Sequence, residues 1–121
     1  MAEGYLRYFA PAEIVVYSAG IETHGLNPLA VKVMKNDGVD ISAHTSNHID
    51  EYSHIDFDLV LTVCDHAREN CPFIHSKGLR LHQNFSDPSK IQGTIDEIWA
   101  AFEATRTEIK IFCQQLVQTY L

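Results

Sequence analysis

The sequence has few cysteines, few glycines and prolines, and little positive charge. Its 121 residues include three cysteines, six glycines and four prolines, and 16 Asp and Glu outnumber nine Lys and Arg, for a net charge of −7. An odd, small number of cysteines does not suggest a disulfide-stapled secreted scaffold. The acidic balance, without a basic cluster, argues against nucleic acid and anionic membranes as partners. An anionic substrate would therefore need a local positive site.

The sequence also lacks an apolar run long enough to cross a bilayer. Residues 1–5 have neither the basic segment nor the apolar segment of a secretory signal peptide. The length is close to the commonest domain size, and 45% of the residues are hydrophobic. We therefore expect a single soluble domain over residues 1–121, with the cytoplasm as its compartment.

Apolar periodicity and capping signals predict the order helix, strand, helix, strand, strand, helix. The last helix opens with the capping box Thr94-Ile95-Asp96-Glu97. Its apolar stripe comprises Ile95, Ile98, Trp99, Phe102, Ile109, Phe112, Cys113 and Leu116. The other expected elements are helix 1–9, strand 14–18, a helix from Asn27 to Gly38, a brief helix ending at Tyr52, strand 57–63 and strand 78–82.

This order is typical of an α/β fold with a parallel sheet and helices on both faces. A doubly wound unit of this kind normally opens with a strand. Here a helix comes first, and no Ser, Thr, Asp or Asn precedes it as a cap. We therefore expect that part of the fold is missing from the chain.

Cys64 follows a nearly continuous apolar strand, and Cys71 follows it after a polar hexapeptide. In open α/β sheets, ligands bind at the carboxyl ends of the strands, so Cys64 lies where chemistry is expected. On a continuous helix the two cysteines would be roughly 10 Å apart along the axis, too far for a disulfide. The hexapeptide must therefore be a loop, or unwind, if the two thiols ever bond. The pair is a candidate redox switch.

Two plainer interpretations of these cysteines stay open. Cys64 can be a packed core thiol and Cys71 an incidental loop thiol. Alternatively, the two cysteines can form a zinc site with His66 and His75. The spacing between the cysteines is wider than in a zinc knuckle, however, and no second cysteine pair follows. Cys113 belongs to the apolar stripe of the last helix, which predicts a core position.

Several separated motifs resemble the thioredoxin-coupled arsenate reductases, which have the low-molecular-weight protein tyrosine phosphatase fold. They are Met-Ala-Glu-Gly at 1–4, Tyr-Ser-Ala-Gly-Ile-Glu-Thr-His-Gly-Leu-Asn-Pro at 17–28, Asp-Ile-Ser-Ala-His-Thr-Ser at 40–46, Thr-Val-Cys-Asp at 62–65, Asn-Cys-Pro at 70–72 and Asp-Pro at 87–88. The resemblance covers nearly the whole chain. It implies a three-layer α/β fold with a parallel sheet whose central first strand is absent here.

The resemblance also implies the chemistry. A loop thiolate attacks arsenate, Cys64 attacks the adduct and releases arsenite, and Cys71 completes a Cys64–Cys71 disulfide that thioredoxin reduces. Asp87 would be the general acid, although an Asp-Pro turn is its plain structural interpretation. Some relatives hold a potassium ion at positions matched by Glu3 and Ser18, but Asn47 stands where they have a carboxylate.

One part of the family pattern is missing. The Cys-x5-Arg loop that would cradle the oxyanion and supply the first nucleophile occurs nowhere in the sequence. We therefore expect an N-terminally truncated, inactive chain that closes its sheet internally or borrows a strand in a homo-oligomer. The alternatives are a dithiol protein that exchanges with thioredoxin without oxyanion chemistry, and a tyrosine phosphatase, which would need no second and third cysteine.

Overall fold

A computed structural model describes residues 1–19, 27–44, 47–52, 54–63 and 76–121. The chain divides into two compact units. The first unit, the helical unit, comprises Met1–Tyr17, Leu26–Thr45 and Asp87–Leu121. The second, the strand unit, comprises Ser18–Gly25 and Ser46–Ser86.

The described residues of the helical unit form three α-helices, and two of these helices begin at side-chain caps that the sequence predicts. Helix α1 spans Ala2–Phe9, helix α2 spans Pro28–Asn36 and helix α3 spans Ile95–Tyr120. The side-chain oxygen of Asn27 accepts a hydrogen bond from the N–H of Leu29, and that of Thr94 accepts one from Glu97. Helix α1 starts without a side-chain cap, as expected. A 3₁₀ helix, Pro88–Lys90, packs on α3.

The core of the helical unit lies between the three helices and residues 39–41. Gly4 allows this close packing, because a Cβ there would lie 2.7 Å from Cγ2 of Ile41. Among the described residues of the unit, Thr105 is a buried polar residue. The buried apolar residues are Tyr5, Val33, Met34, Val39, Ile41, Phe102, Ile109, Cys113 and Leu116.

A buried tyrosine joins the three helices of this unit. The hydroxyl of Tyr5 donates a hydrogen bond to Oδ2 of Asp37 at 2.7 Å, and Lys110 Nζ lies 2.9 Å from the same oxygen. Asp37 caps the carboxyl end of α2, and Gly38 follows with a positive φ of 83°, which glycine adopts without strain. The predicted end of α2 at Asp37-Gly38 is confirmed.

The strand unit contains a parallel pair of strands. Strand β1 is Phe57–Thr62 and strand β2 is Ser76–His82. Gly78 is required at the register shift near the start of the pair, because a Cβ there would collide with the carbonyl oxygen of Asp58. A 3₁₀ helix, Ile49–Tyr52, stands where the brief helix was predicted. The α/β class and the parallel sheet are confirmed. The absence of a central strand stays a prediction, as does a three-layer arrangement.

Two details of the sequence analysis are wrong. Residues 14–18 are not a strand: the carbonyl of Val16 accepts a hydrogen bond from Arg7, and the N–H of Ile14 donates to Pro11 in a turn. Two backbone groups of this segment, the N–H of Ile14 and the carbonyl of Val16, thus have partners outside any strand ladder. Ile95 does not join the buried stripe, because it is 84% exposed at the first turn of α3.

Candidate functional site

The two cysteines of the predicted redox pair lie outside the described residues, as do His66 and His75. The sequence places Cys64 and Cys71 in the segment that connects β1 to β2, with Cys64 two residues beyond the end of β1. The redox pair therefore stays a prediction. The structure describes the two strands on either side of this segment, β1 and β2.

A hydroxyl and an imidazole meet at those strand ends. Thr62 Oγ1 and His82 Nδ1 are 2.6 Å apart, on residues that are register partners. Beyond the strands, the N–H of Gln83 donates to the carbonyl of Thr62, and the N–H of Phe85 donates to the carbonyl of Val63. These bonds fix the backbone up to the residue before Cys64. The carboxyl ends of parallel strands are the usual ligand edge of such sheets.

Asp87, the candidate general acid, is held in a tight local turn of the helical unit. Its Oδ1 accepts two hydrogen bonds from Ser89, one from the N–H at 2.9 Å and one from the hydroxyl at 2.6 Å. Pro88, which follows, is buried and anchors the turn. The hydrogen bonds from Ser89 hold the pKa of the Asp87 carboxyl below its ordinary value, and partial burial opposes them.

Glu3 contacts two side chains, the guanidinium of Arg7 and the imidazole of His44. Its Oε2 lies 2.9 Å from the guanidinium of Arg7, one turn along α1, and its Oε1 lies 3.7 Å from Nδ1 of His44. Arg7 also donates to the carbonyl of Val16 at 2.7 Å. This cluster ties the start of α1 to two loops of the helical unit, and it gives His44 a carboxylate partner.

The engagement of Glu3 does not favour a cation at that carboxylate. Ser18 is exposed, and the Asn47 amide donates to Glu51 at 3.5 Å. In the described part of the chain, no three His, Cys, Asp or Glu side chains are grouped so that they could hold a metal ion. The potassium site stays a prediction, and no step below depends on it.

Arg7, the Thr62–His82 pair and Ser89 were not predicted from the sequence. The Arg7 contact had a local signal, since Glu3 and Arg7 are four residues apart on one helix. Ser89 also had one, because Asp followed two positions later by a hydroxyl residue suits an Asx turn. The Thr62–His82 pair depends on the strand register, which the sequence alone did not supply.

The comparison with known proteins agrees with the α/β fold. The model of the family "low molecular weight phosphotyrosine protein phosphatase" matches residues 1–120. An arsenate reductase of Halalkalibacterium halodurans is 50% identical over 109 residues, covering 90% of this chain and 78% of that protein. One from Bacillus subtilis is 45% identical over 119 residues, covering 98% and 86%.

Solved structures give the same result. An arsenate reductase in its oxidised state matches with a TM-score of 0.78 at 25% identity, covering 97% of this chain and 85% of that one. An arsenate reductase in a phosphate-binding state has a TM-score of 0.76 at 23% identity, which supports the fold. The chain therefore belongs to the low molecular weight phosphotyrosine protein phosphatase family, and it is a relative of arsenate reductases in that family.

Proposed function

We propose that this chain carries the later part of an arsenate-reducing thiol relay, with Cys64 and Cys71 as its redox-active cysteines. The observation that carries the proposal is the position of Cys64, two residues beyond a strand whose carboxyl end is fixed by a parallel neighbour. Arsenate reductases that are 45–50% identical over most of the chain support the substrate.

The relay moves two electrons from thiols to arsenic. A first thiolate displaces a hydroxyl from arsenate, and water leaves. The Cys64 thiolate then attacks the arsenic-bound sulfur of the first cysteine. The S–As bond breaks with its electron pair on arsenic, so arsenite is released and a disulfide joins Cys64 to the first cysteine. Cys71 attacks the sulfur of Cys64, which frees the first thiolate and leaves a Cys64–Cys71 disulfide. A dithiol protein of the thioredoxin type returns the two electrons.

Asp87 supplies a proton in this scheme. Displacing an oxygen from arsenate is easier when that oxygen leaves as water than as oxide, so a carboxyl group near it accelerates the step. Because the reductant requires a compartment that keeps thiols reduced, we propose the cytoplasm as the location of the protein.

The first thiolate is not in this sequence, which contains no Cys-x5-Arg. Cys113 does not replace it, since this thiol is fully buried and burial raises its pKa to about 11. We therefore propose that the chain by itself does not reduce arsenate and that an upstream strand with such a loop would complete it.

The test compares the chain with a version extended upstream by a strand and a Cys-x5-Arg loop. Arsenite is measured in the presence of thioredoxin, its reductase and NADPH. We expect arsenite from the extended protein only, loss of thioredoxin-dependent turnover in Cys64→Ser and in Cys71→Ser, and retained turnover in the control Cys113→Ala. An extended protein that folds, as judged by circular dichroism, and forms no arsenite would contradict the proposal.

The absence of Cys-x5-Arg favours a second candidate, a dithiol protein that exchanges with thioredoxin and binds no oxyanion. The same experiment separates the two candidates. The second predicts thioredoxin-dependent reduction of a Cys64–Cys71 disulfide in both proteins, with arsenite formed by neither.

A further inference from the structure

We propose that Ser89 is the positioning residue of Asp87: its N–H and its hydroxyl hold one carboxylate oxygen, so that the other is presented for proton transfer. The inference rests on the proposed role of Asp87 as an acid. It concerns a residue that touches neither substrate nor thiol and acts through the carboxylate.

The geometry is asymmetric between the two oxygens. Oδ1 accepts both donors of Ser89, at 2.9 Å and 2.6 Å. Within the described residues, Oδ2 has no hydrogen-bond partner. A carboxylate oxygen that accepts two hydrogen bonds is a poor site for a further proton, because its lone pairs are already used. The transferable proton of Asp87 therefore belongs on Oδ2.

The turn around this carboxylate is fixed on both sides. The N–H of Lys90 donates to the carbonyl of Asp87, and that of Ile91 donates to the carbonyl of Pro88. Pro88 itself is buried against the helical unit, whereas Asp87 and Ser89 are exposed. The carboxylate is thus exposed to solvent on an anchored backbone, an arrangement that suits transfer of a proton to a bound oxyanion.

The hydrogen bonds from Ser89 have two opposite effects on an acid. They stabilise the negative charge that appears on Asp87 as the proton leaves, which makes the group a stronger acid. They also reduce the fraction of Asp87 that is protonated near neutral pH, in agreement with the lowered pKa of this carboxyl. Removing the hydroxyl should therefore weaken the acid and extend its protonated range to higher pH.

The first measurement needs no enzyme activity. The pKa of Asp87 is followed by carbon-detected NMR of the side-chain carboxyl in the chain, with Asp87→Asn for assignment. We expect an upward shift in Ser89→Ala, a value close to the parent in Ser89→Thr, which keeps a hydroxyl, and no shift in Ser86→Ala. Ser86 is the matched control, since it lies on the other side of Asp87 and is also exposed.

The second measurement uses the extended protein. We expect the alkaline limb of the pH profile of kcat to move to higher pH in Ser89→Ala, with a lower maximum, while KM for arsenate is unchanged. A purely structural role would lower activity without moving the limb. If the pKa of Asp87 is the same in Ser89→Ala and the parent, or shifts equally in Ser86→Ala, the inference is wrong. An inactive extended protein counts against the proposed function, whereas the NMR result stands on its own.

Discussion

Tyr5 shows how a single contact in this protein couples stability to pH. Its ring is fully buried, and its hydroxyl donates to Asp37, which also pairs with Lys110. The hydrogen bond from Tyr5, followed by that from Lys110, lowers the pKa of the Asp37 carboxyl. A carboxyl whose pKa is lower in the folded state stabilises the fold above its ordinary pKa, and that stability is lost as pH falls through the folded value.

Replacing Tyr5 with Phe should therefore destabilise the protein in a pH-dependent way. Hydrogen bonds to charged groups contribute about 1.5–3 kcal/mol, and we expect a loss near the lower end because the Asp37 side chain is 25% exposed. Urea unfolding at pH 7 measures the loss, which should shrink in acid as Asp37 is protonated. Tyr8→Phe, on the exposed side of the same helix, is the control. A difference that stays constant down to acidic pH would contradict the Tyr5–Asp37 coupling.

The buried thiol of Cys113 is predicted to be inert in the native protein. It is 0% exposed, its Sγ lies 3.8 Å from the carbonyl of Ala2, and burial raises its pKa to about 11. In a Cys64→Ser/Cys71→Ser variant, iodoacetamide at pH 8 should modify no thiol in the folded state and one thiol in urea. Rapid alkylation of a protein with a native circular dichroism spectrum would show that Cys113 is accessible.

Two apolar residues that periodicity places on one face of helix α3 differ in burial. Phe102 is 2% exposed and Ile95 is 84% exposed. We expect Phe102→Ala to lower the free energy of unfolding by about 3–5 kcal/mol, since it leaves a cavity. Ile95→Ala should change it by less than about 0.5 kcal/mol, as surface substitutions usually do. Urea unfolding of both variants checks this, and equal losses of stability would contradict the difference in burial between Phe102 and Ile95.

Helix starts with local signals were predictable from the sequence, as were the strands at 57–63 and 78–82, whereas the strand expected at 14–18 was not formed. Asn27, Pro28 and Thr94 define helix starts through their own neighbours, and each prediction is confirmed. Strand propensity at 14–18 was misleading because a strand needs a ladder partner. The case of Ile95 is similar: periodicity identifies a shared face, but not how far along the helix that face is covered.

The contacts at the candidate site also differ in whether they join residues that are close in the sequence or distant. An Asx turn at Asp87 follows from three adjacent residues, so its plain interpretation as a turn was available from the sequence. The Thr62–His82 contact joins residues 20 positions apart and required the strand register. The Tyr5–Asp37 bond joins residues 32 positions apart and had no sequence signal.

At the scale of the whole molecule, the sequence and the comparisons agree on the α/β family. None of the described helices combines the length and the apolar composition that a membrane crossing requires. The single domain over 1–121 stays a prediction, as do the absent strand and a strand-exchanged homo-oligomer. The connection between β1 and β2 is central to the proposed relay, because it carries both Cys64 and Cys71.

The most direct test of the relay is disulfide mapping of the oxidised chain by peptide mass spectrometry. The folded, reduced protein is exposed to a mild oxidant, residual thiols are alkylated, and the peptides are identified before and after treatment with thioredoxin. We predict a Cys64–Cys71 disulfide that thioredoxin removes, with Cys113 present as a free thiol. A folded protein in which Cys64 and Cys71 never pair, or in which the disulfide includes Cys113, would contradict the relay.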